Sequence, residues 1–449
     1  MDMSALSAAV EDGTIDTVIV ATPDMQGRLV GKRLTARHFL ESCEAGVGTC
    51  SVVLTWGQDH ALDPDYALSG WANGYPDMVV VPDMATLARY AWFERTAFVM
   101  GNAVRPDESA IDVAPRTALA RMLERLAGHG LRARFASELE FFLYDETPRS
   151  AHDKGFVNLT GKHATLHPET LMRTSEDEHF LGPLRNHLEA AGVPVEMVKA
   201  EYSPGQVEIN LHHADAMKAA DSHMLLKAAA KEIALQQGMI ATFMAKPDHD
   251  LGGSSCHVHL SLQDESGQSA FAAGPDGRGA SETMTRFLGG LTHHIRDIFL
   301  FFAPTTNSYR RMQPGTFAPD SVTWGEDNRT VAFRMVGAGG ARRIENRIPG
   351  ADVNPYLAYA AMLAAGLRGI EEGLEPVGAA LGGNAYHADA PALPRTLDEA
   401  TEAFAGSELI RDCFGAEFHD HYANYGRQSI LAARAAVTDY ERRMLFLDI

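Results

Sequence analysis

Ser137-Glu138-Leu139-Glu140-Phe141-Phe142 is a strand in which two carboxylates face one way and apolar side chains the other. In an extended chain, residues two apart share a face, so Glu138 and Glu140 point together while Leu139 and Phe141 enter a core. Three further segments repeat the pattern: Glu201-Tyr202-Ser203-Pro204-Gly205-Gln206-Val207-Glu208-Ile209, Cys256-His257-Val258-His259-Leu260 and Arg343-Ile344-Glu345-Asn346-Arg347. Here His257 pairs with His259, and Arg343 with Glu345 and Arg347. Any one of these alone reads as a polar strand face. Side by side, that many carboxylates require cations to neutralise them.

Glu138, Glu140, Glu201, Glu208, His257 and Glu345 offer five carboxylates and one imidazole, a donor set suited to Mg²⁺ or Mn²⁺ rather than zinc. Two such ions can clamp a nucleotide's phosphates during phosphoryl transfer. Arginines at 310, 311, 329 and 334 lie among Tyr, Phe, Met and Pro, where bidentate recognition of carboxylate or phosphate is possible. Gly252-Gly253-Ser254-Ser255, just ahead of the His257 strand, presents backbone N–H groups to a substrate carboxylate.

Around these segments, 449 residues predict two unequal domains, divided in the polar stretch 102–115 into residues 1–105 and 106–449. Strand patterns at 15–21, 28–34, 51–54, 78–81 and 97–101, with a helix at 36–44, make the first part a small α+β unit. In the second, helix patterns at 116–127, 179–191, 214–237, 281–299, 355–371 and 429–446 alternate with the ligand-bearing strands, and 265–279 reads as an exposed loop. The fold class is α+β, an antiparallel or mixed sheet backed by helices. A net charge of −20 argues against nucleic-acid and anionic-membrane binding. Four cysteines without a zinc-like spacing, an acidic N-terminus and the absence of a membrane-length apolar run point to the cytoplasm.

The segments jointly resemble the glutamine synthetase family, in order and approximate spacing. The likeness extends from Gly74-Tyr75-Pro76-Asp77 through Phe243-Met244-Ala245-Lys246-Pro247, Asn307-Ser308-Tyr309-Arg310-Arg311 and Asn328-Arg329 to Asn354-Pro355-Tyr356-Leu357. The resemblance implies an N-terminal β-grasp domain, a larger catalytic domain with a curved antiparallel sheet backed by helices, and a homo-oligomer of stacked rings, typically a dodecamer with active sites between subunits. It implies ATP-driven conversion of glutamate to γ-glutamyl phosphate, then attack by an amine. It assigns Glu140, Glu201 and Glu208 to one metal and Glu138, His257 and Glu345 to another. His259, Ser261, Arg334 and Arg343 would bind ATP, and Arg311 with the Gly253 backbone the α-carboxylate. Arg329 would stabilise the transferring phosphoryl group, and Arg347 the γ-carboxyl.

The chain departs from ammonia-using members in the flap. Six residues after Arg311, where they carry a glutamate that binds ammonium and takes its proton, stands Phe317, which can do neither. Their Asp-Gly-Ser-Ser segment is missing; Asp63 falls at its aspartate, with Asp65 as a rival, and Gly252 replaces a usual asparagine. A phenyl ring instead supplies apolar surface for a carbon skeleton. With Trp324-Gly325-Glu326-Asp327-Asn328-Arg329, this flap resembles that of γ-glutamyl-amine ligases acting on polyamines, ethanolamine or monoamines. The leading expectation is a ligase joining glutamate to a small organic amine, with Asp63 and Phe317 at the amine. The alternatives are an ammonia-using glutamine synthetase and a non-catalytic structural or sensing relative. Tyr386 falls where some bacterial relatives are adenylylated, in an otherwise eroded motif.

Overall fold

The structure, a computed structural model, describes every residue except Asp59, Asp63, His167, Pro314 and Asp448. The first part of the chain runs α1 (Met3–Glu11), β1 (Thr17–Pro23), β2 (Leu29–Thr35), α2 (Ala36–Ser42), β3 (Val47–Cys50), β4 (Asp77–Pro82), β5 (Ala88–Arg89) and β6 (Thr96–Val104). Its sheet has the order β2-β1-β6-β4-β3, with β5 added to β6; β1 and β6 run parallel and the other pairs antiparallel. The β1–β2 turn is closed by Asp24, whose carboxylate accepts from the backbone of Gln26 (3.0 Å) and Arg28 (2.8 Å) and from Arg28 Nε (2.6 Å). Residues 51–54, expected as a strand, instead form a 3₁₀ turn. The Ser51 hydroxyl and amide both donate to the Pro76 carbonyl, and this tertiary bonding overrides the β-propensity of Val52 and Val53.

The larger sheet begins after α3 (Pro115–Gly128) with β7 (Leu131–Tyr144), the long strand carrying Glu138 and Glu140. Next come α4 (Pro148–Asp153), α5 (Leu171–Glu176), α6 (Glu178–Ala190), β8 (Val195–Ala200), β9 (Gln206–Leu211), β10 (Ala214–Asp215), α7 (Ala216–Gln236), β11 (Ile240–Thr242) and β12 (Cys256–Asp264). The chain continues through β13 (Ala272–Ala273), β14 (Gly279–Ala280), α8 (Glu282–Phe302), α9 (Ser308–Arg311), β15 (Trp324–Glu326), β16 (Phe333–Val336) and β17 (Arg343–Asn346). It ends with α10 (Pro355–Glu372), α11 (Leu397–Ala405), α12 (Glu408–Ala435) and α13 (Asp439–Leu445). The strand order is β15-β16-β17-β12-β7-β9-β8, with β10 and β11 also on β7, and only β15–β16 is parallel.

Alternation along β7 sends Phe135, Leu139 and Phe141, all fully buried, to the face covered by α3 and α7. Behind them α10 packs on α8 so closely that a Cβ at Gly290 would lie 2.0 Å from the Ala365 carbonyl oxygen. Two expectations fail in detail. The helix expected over 429–446 is broken at 436–438, where Thr438 caps α13 in a reciprocal capping box with Glu441. The loop expected over 265–279 contains one arm of the β13–β14 hairpin.

Buried polar ties fix the two sheets to each other. Arg116 on α3 donates to Asp83 (2.7 Å), just after β4, and to Asn102 (2.9 Å) on β6, and pairs with Asp221 of α7. Tyr90 and Trp92 both donate to Glu232 (2.7 and 2.6 Å), and His421 Nε2 lies 2.8 Å from the Leu54 carbonyl oxygen.

Candidate active site

Register places the ligand-type residues opposite one another on the large sheet: His257 faces Glu138, Glu140 faces Glu208, and Glu345 lies between His259 and Arg334. Two clusters result. In the first, ligand oxygens of Glu140, Glu201 and Glu208 lie within 4.8 Å of one another. Glu140 accepts from the Ser255 amide (2.8 Å), the Ser255 hydroxyl (2.5 Å) and Gln206 Nε2 (2.9 Å). Burial and the Glu201 charge raise its pKa; burial and the Glu138 charge push Glu208 up to about 9. Lys199 on β8 leans in, pairing with Glu201 and lying 3.7 Å from Glu208. Two buried carboxylates that resist ionisation, Glu140 and Glu208, with the half-buried Glu201 beside them form a donor set a hard divalent cation fits, since its charge removes the repulsion.

The second cluster joins Glu138, His259 and Glu345, again within 4.8 Å. His257 stands beside it, with Nδ1 3.3 Å from Glu138 and 3.8 Å from Glu345. Arg343 Nε lies 3.1 Å from His259 Nδ1. A guanidinium only donates, so that nitrogen accepts and Nε2–H is left to donate to Glu138 Oε1 at 2.6 Å. Burial alone would raise the Glu138 carboxyl, but hydrogen bonds from His257 and His259 bring it well below the usual range. Glu345 is fully buried; against the effect of burial, its neighbours His257, His259 and Arg347 hold it at about 2. It accepts from Arg334 (2.7 Å) and from Arg347. Of the two histidines, His259 joins the tighter group, although the sequence reading set His257 on the metal and His259 on phosphate.

Arg311 is buried, donating to the carbonyls of Ile348 and Pro349. It lies against Gly253, where a Cβ would fall 2.3 Å from Arg311 Cγ and 2.9 Å from the Ala245 carbonyl oxygen. Ser261 follows His259 on the same face of β12, half-buried. The Nε–H groups of Arg311, Arg334 and Arg347 are buried without a protein acceptor. Arg329 is exposed in the loop before β16 and is not drawn into either cluster. Phe317 is 59% exposed in the flap, with φ +56°. Asp63 lies outside the described residues; its rival Asp65 is exposed, with φ +68°.

Sequence reasoning missed three participants. Lys199 stands opposite Glu208 across β8 and β9 and two residues before Glu201, a spacing from which it was detectable. Gln206, inside the quoted Pro-Gly-Gln turn, holds Glu140 and also donates to the Gly253 carbonyl (3.0 Å), tying the carboxylate to the glycine loop. Asp327 pairs with Arg334 from the preceding loop, a partnership that spacing does not reveal.

Residues 112–445 match the model of the glutamine synthetase catalytic domain. The chain belongs to the glutamine synthetase family. Within that family it is 45% identical over 447 residues to the γ-glutamylethanolamide synthetase of Streptomyces coelicolor, covering 99% of this chain and 96% of the relative. It is 36% identical over 447 residues to the glutamate–isopropylamine ligase of a Pseudomonas species, covering 98% and 96%. Among solved structures, GmaS without ligand superimposes with a TM-score of 0.85 at 28% identity, covering 99% of this chain and 100% of that one. No helix among the described residues is long and apolar enough to cross a membrane.

Proposed function

We propose that this chain is an ATP-dependent ligase that joins the γ-carboxyl group of glutamate to a small organic amine through γ-glutamyl phosphate. The observation that carries this reading is Phe317 in the flap of a site whose carboxylates, histidines and arginines are otherwise gathered for carboxylate activation. The family relatives that act on ethanolamine and isopropylamine support it. Two or more Mg²⁺ or Mn²⁺ ions, held by Glu140, Glu201 and Glu208 and by Glu138, Glu345 and one or both histidines, would neutralise phosphate charge.

The remaining work falls to protein groups. Phosphoryl transfer to a carboxylate brings two anions together, and fixed cationic donors offset that repulsion. Arg334, Arg343, His259 and Ser261 bind the ATP phosphates and nucleotide. Arg311 and the Gly253 backbone orient the α-carboxylate, and Arg347 the γ-carboxyl. Arg329, reaching in from its exposed loop, stabilises the transferring group. Phe317 covers the carbon skeleton of the amine and excludes water, and Asp63 takes the amine's proton. Residues 1–105 and 106–449 are the two domains, and the enzyme acts in the cytoplasm as a homo-oligomer, a ring dodecamer with sites between subunits. The exposed apolar tail, with Phe446, Leu447 and Ile449 at least 80% exposed, supports assembly.

A phosphate-release assay with glutamate, Mg-ATP and ethanolamine, isopropylamine, putrescine or ammonium tests the reading. Turnover with an organic amine at a kcat/KM well above that for ammonium is expected. Turnover with ammonium alone would identify an ordinary glutamine synthetase, and none with any amine, without ATP binding, a non-catalytic relative.

A further inference from the structure

Away from the two carboxylate clusters, a cavity of about 260 Å³ opens between the β1–β2 turn, α7 and the segment before α10. Lys227 and Lys231, one helical turn apart on α7, both enter it, their ammonium groups 5.6 and 5.7 Å from the centre of the Phe243 ring. Like charges at this spacing repel. Lys227 is 7% exposed and donates to the carbonyls of Ala351 (3.2 Å) and Val353 (3.4 Å), which leaves its third N–H available. Burial pushes that ammonium down to about 8, so it is still charged at neutral pH.

Arg28, held in place by Asp24, is the third cation on the wall, and its Nη2 has no hydrogen-bond partner. The one carboxylate lining the cavity among the described residues is Asp352. Its Oδ2 already accepts from the hydroxyls of Thr305 (2.9 Å) and Ser308 (2.6 Å). With Asp24 behind Arg28 counted beside Asp352, three cations stand against two carboxylates, so the wall keeps a net positive charge in a chain whose net charge is −20. Convergent cations in a concave, partly desolvated site favour a multiply charged anion.

We propose that this cavity binds a small oxyanion bearing two negative charges, a phosphate or a dicarboxylate, between Lys227, Lys231 and Arg28. Bound there, the anion joins the first sheet's hairpin to α7. It also presses on the segment whose Ala351 amide donates to the Ser254 carbonyl (3.1 Å), the far side of the Gly253 loop. Binding does not depend on the reaction proposed above.

Isothermal titration of the full-length protein with inorganic phosphate and, separately, succinate tests the site, with saturating Mg-ADP present so that nucleotide phosphate positions are filled. At least one anion should bind the native protein. The exposed Lys231→Glu substitution should weaken that binding by about tenfold or more and leave Mg-ADP binding unchanged. Phosphate alone binding would name phosphate as the ligand, and succinate alone a dicarboxylate. Failure of both anions to bind, or equal binding to native and Lys231→Glu protein, would overturn the proposal.

Discussion

Phe317 presents its ring on a left-handed backbone, a conformation uncommon for an aromatic residue. Strain of that kind persists where neighbours enforce it, and here Thr316 and Tyr386 brace the flap: the Thr316 hydroxyl donates to the Gln313 carbonyl (2.6 Å) and the Tyr386 hydroxyl to that of Ala318 (3.1 Å). A Phe317→Glu variant should raise the ratio of kcat/KM for ammonium to that for the organic amine by about tenfold or more. An unchanged ratio in side-by-side kinetics would mean that the flap does not choose the nucleophile. At Gly253 the missing Cβ leaves room for Arg311. Gly253→Ala should therefore raise KM for glutamate at least about tenfold while sparing nucleotide affinity, read by titration with Mg-ADP. At this scale the sequence was readable where chemistry follows a period of two: Glu138 with Glu140, and His257 with His259, are neighbours because a strand permits nothing else. Arg311's approach to Gly253, and which histidine joins Glu345, depend on register between strands distant in sequence.

Among the elements, α8 and α10 meet at glycines rather than at interdigitated side chains, so their backbones touch. A Gly290→Ala substitution places a methyl group against the Ala365 carbonyl and should destabilise the protein by about 1–3 kcal/mol. The urea midpoint would fall accordingly, while activity per folded molecule is retained. Long amphipathic helices such as α3 and α8 were legible because one face is apolar over several turns. Residues 51–54 and 436–438 misled for a common physical reason. Short apolar runs take the conformation that caps and distant carbonyls impose, and neither the Ser51–Pro76 bonds nor the Thr438 cap stands out from neighbouring Ser, Thr and Pro residues.

On the scale of the whole molecule, His421 belongs to the contact between the two sheets. It is 6% exposed, packs at a tilt against the Tyr66 ring and pairs with the Leu54 carbonyl, and burial pushes its pKa from 6.5 to about 4. Because the folded state resists protonation until about pH 4 while the unfolded chain protonates at 6.5, stability falls as pH drops through that window. The loss attributable to this side chain is about 3 kcal/mol. Urea denaturation at pH 7 and pH 4.5 should show it, and His421→Gln should flatten that part of the profile. On the proposed homo-oligomer, removal of residues 446–449 should lower the oligomeric state read by sedimentation, and an unchanged state would mean that these residues do not hold copies together.

The central claim joins two parts: activation of glutamate as an acyl phosphate, and capture by an organic amine. Glutamate labelled with oxygen-18 in its γ-carboxyl group, incubated with Mg-ATP and ethanolamine or isopropylamine, tests both at once by mass spectrometry. The account predicts one labelled oxygen in each phosphate released and the γ-glutamyl amide of the added amine. Unlabelled phosphate, or glutamine as the only amide when ammonium is also present, would contradict it.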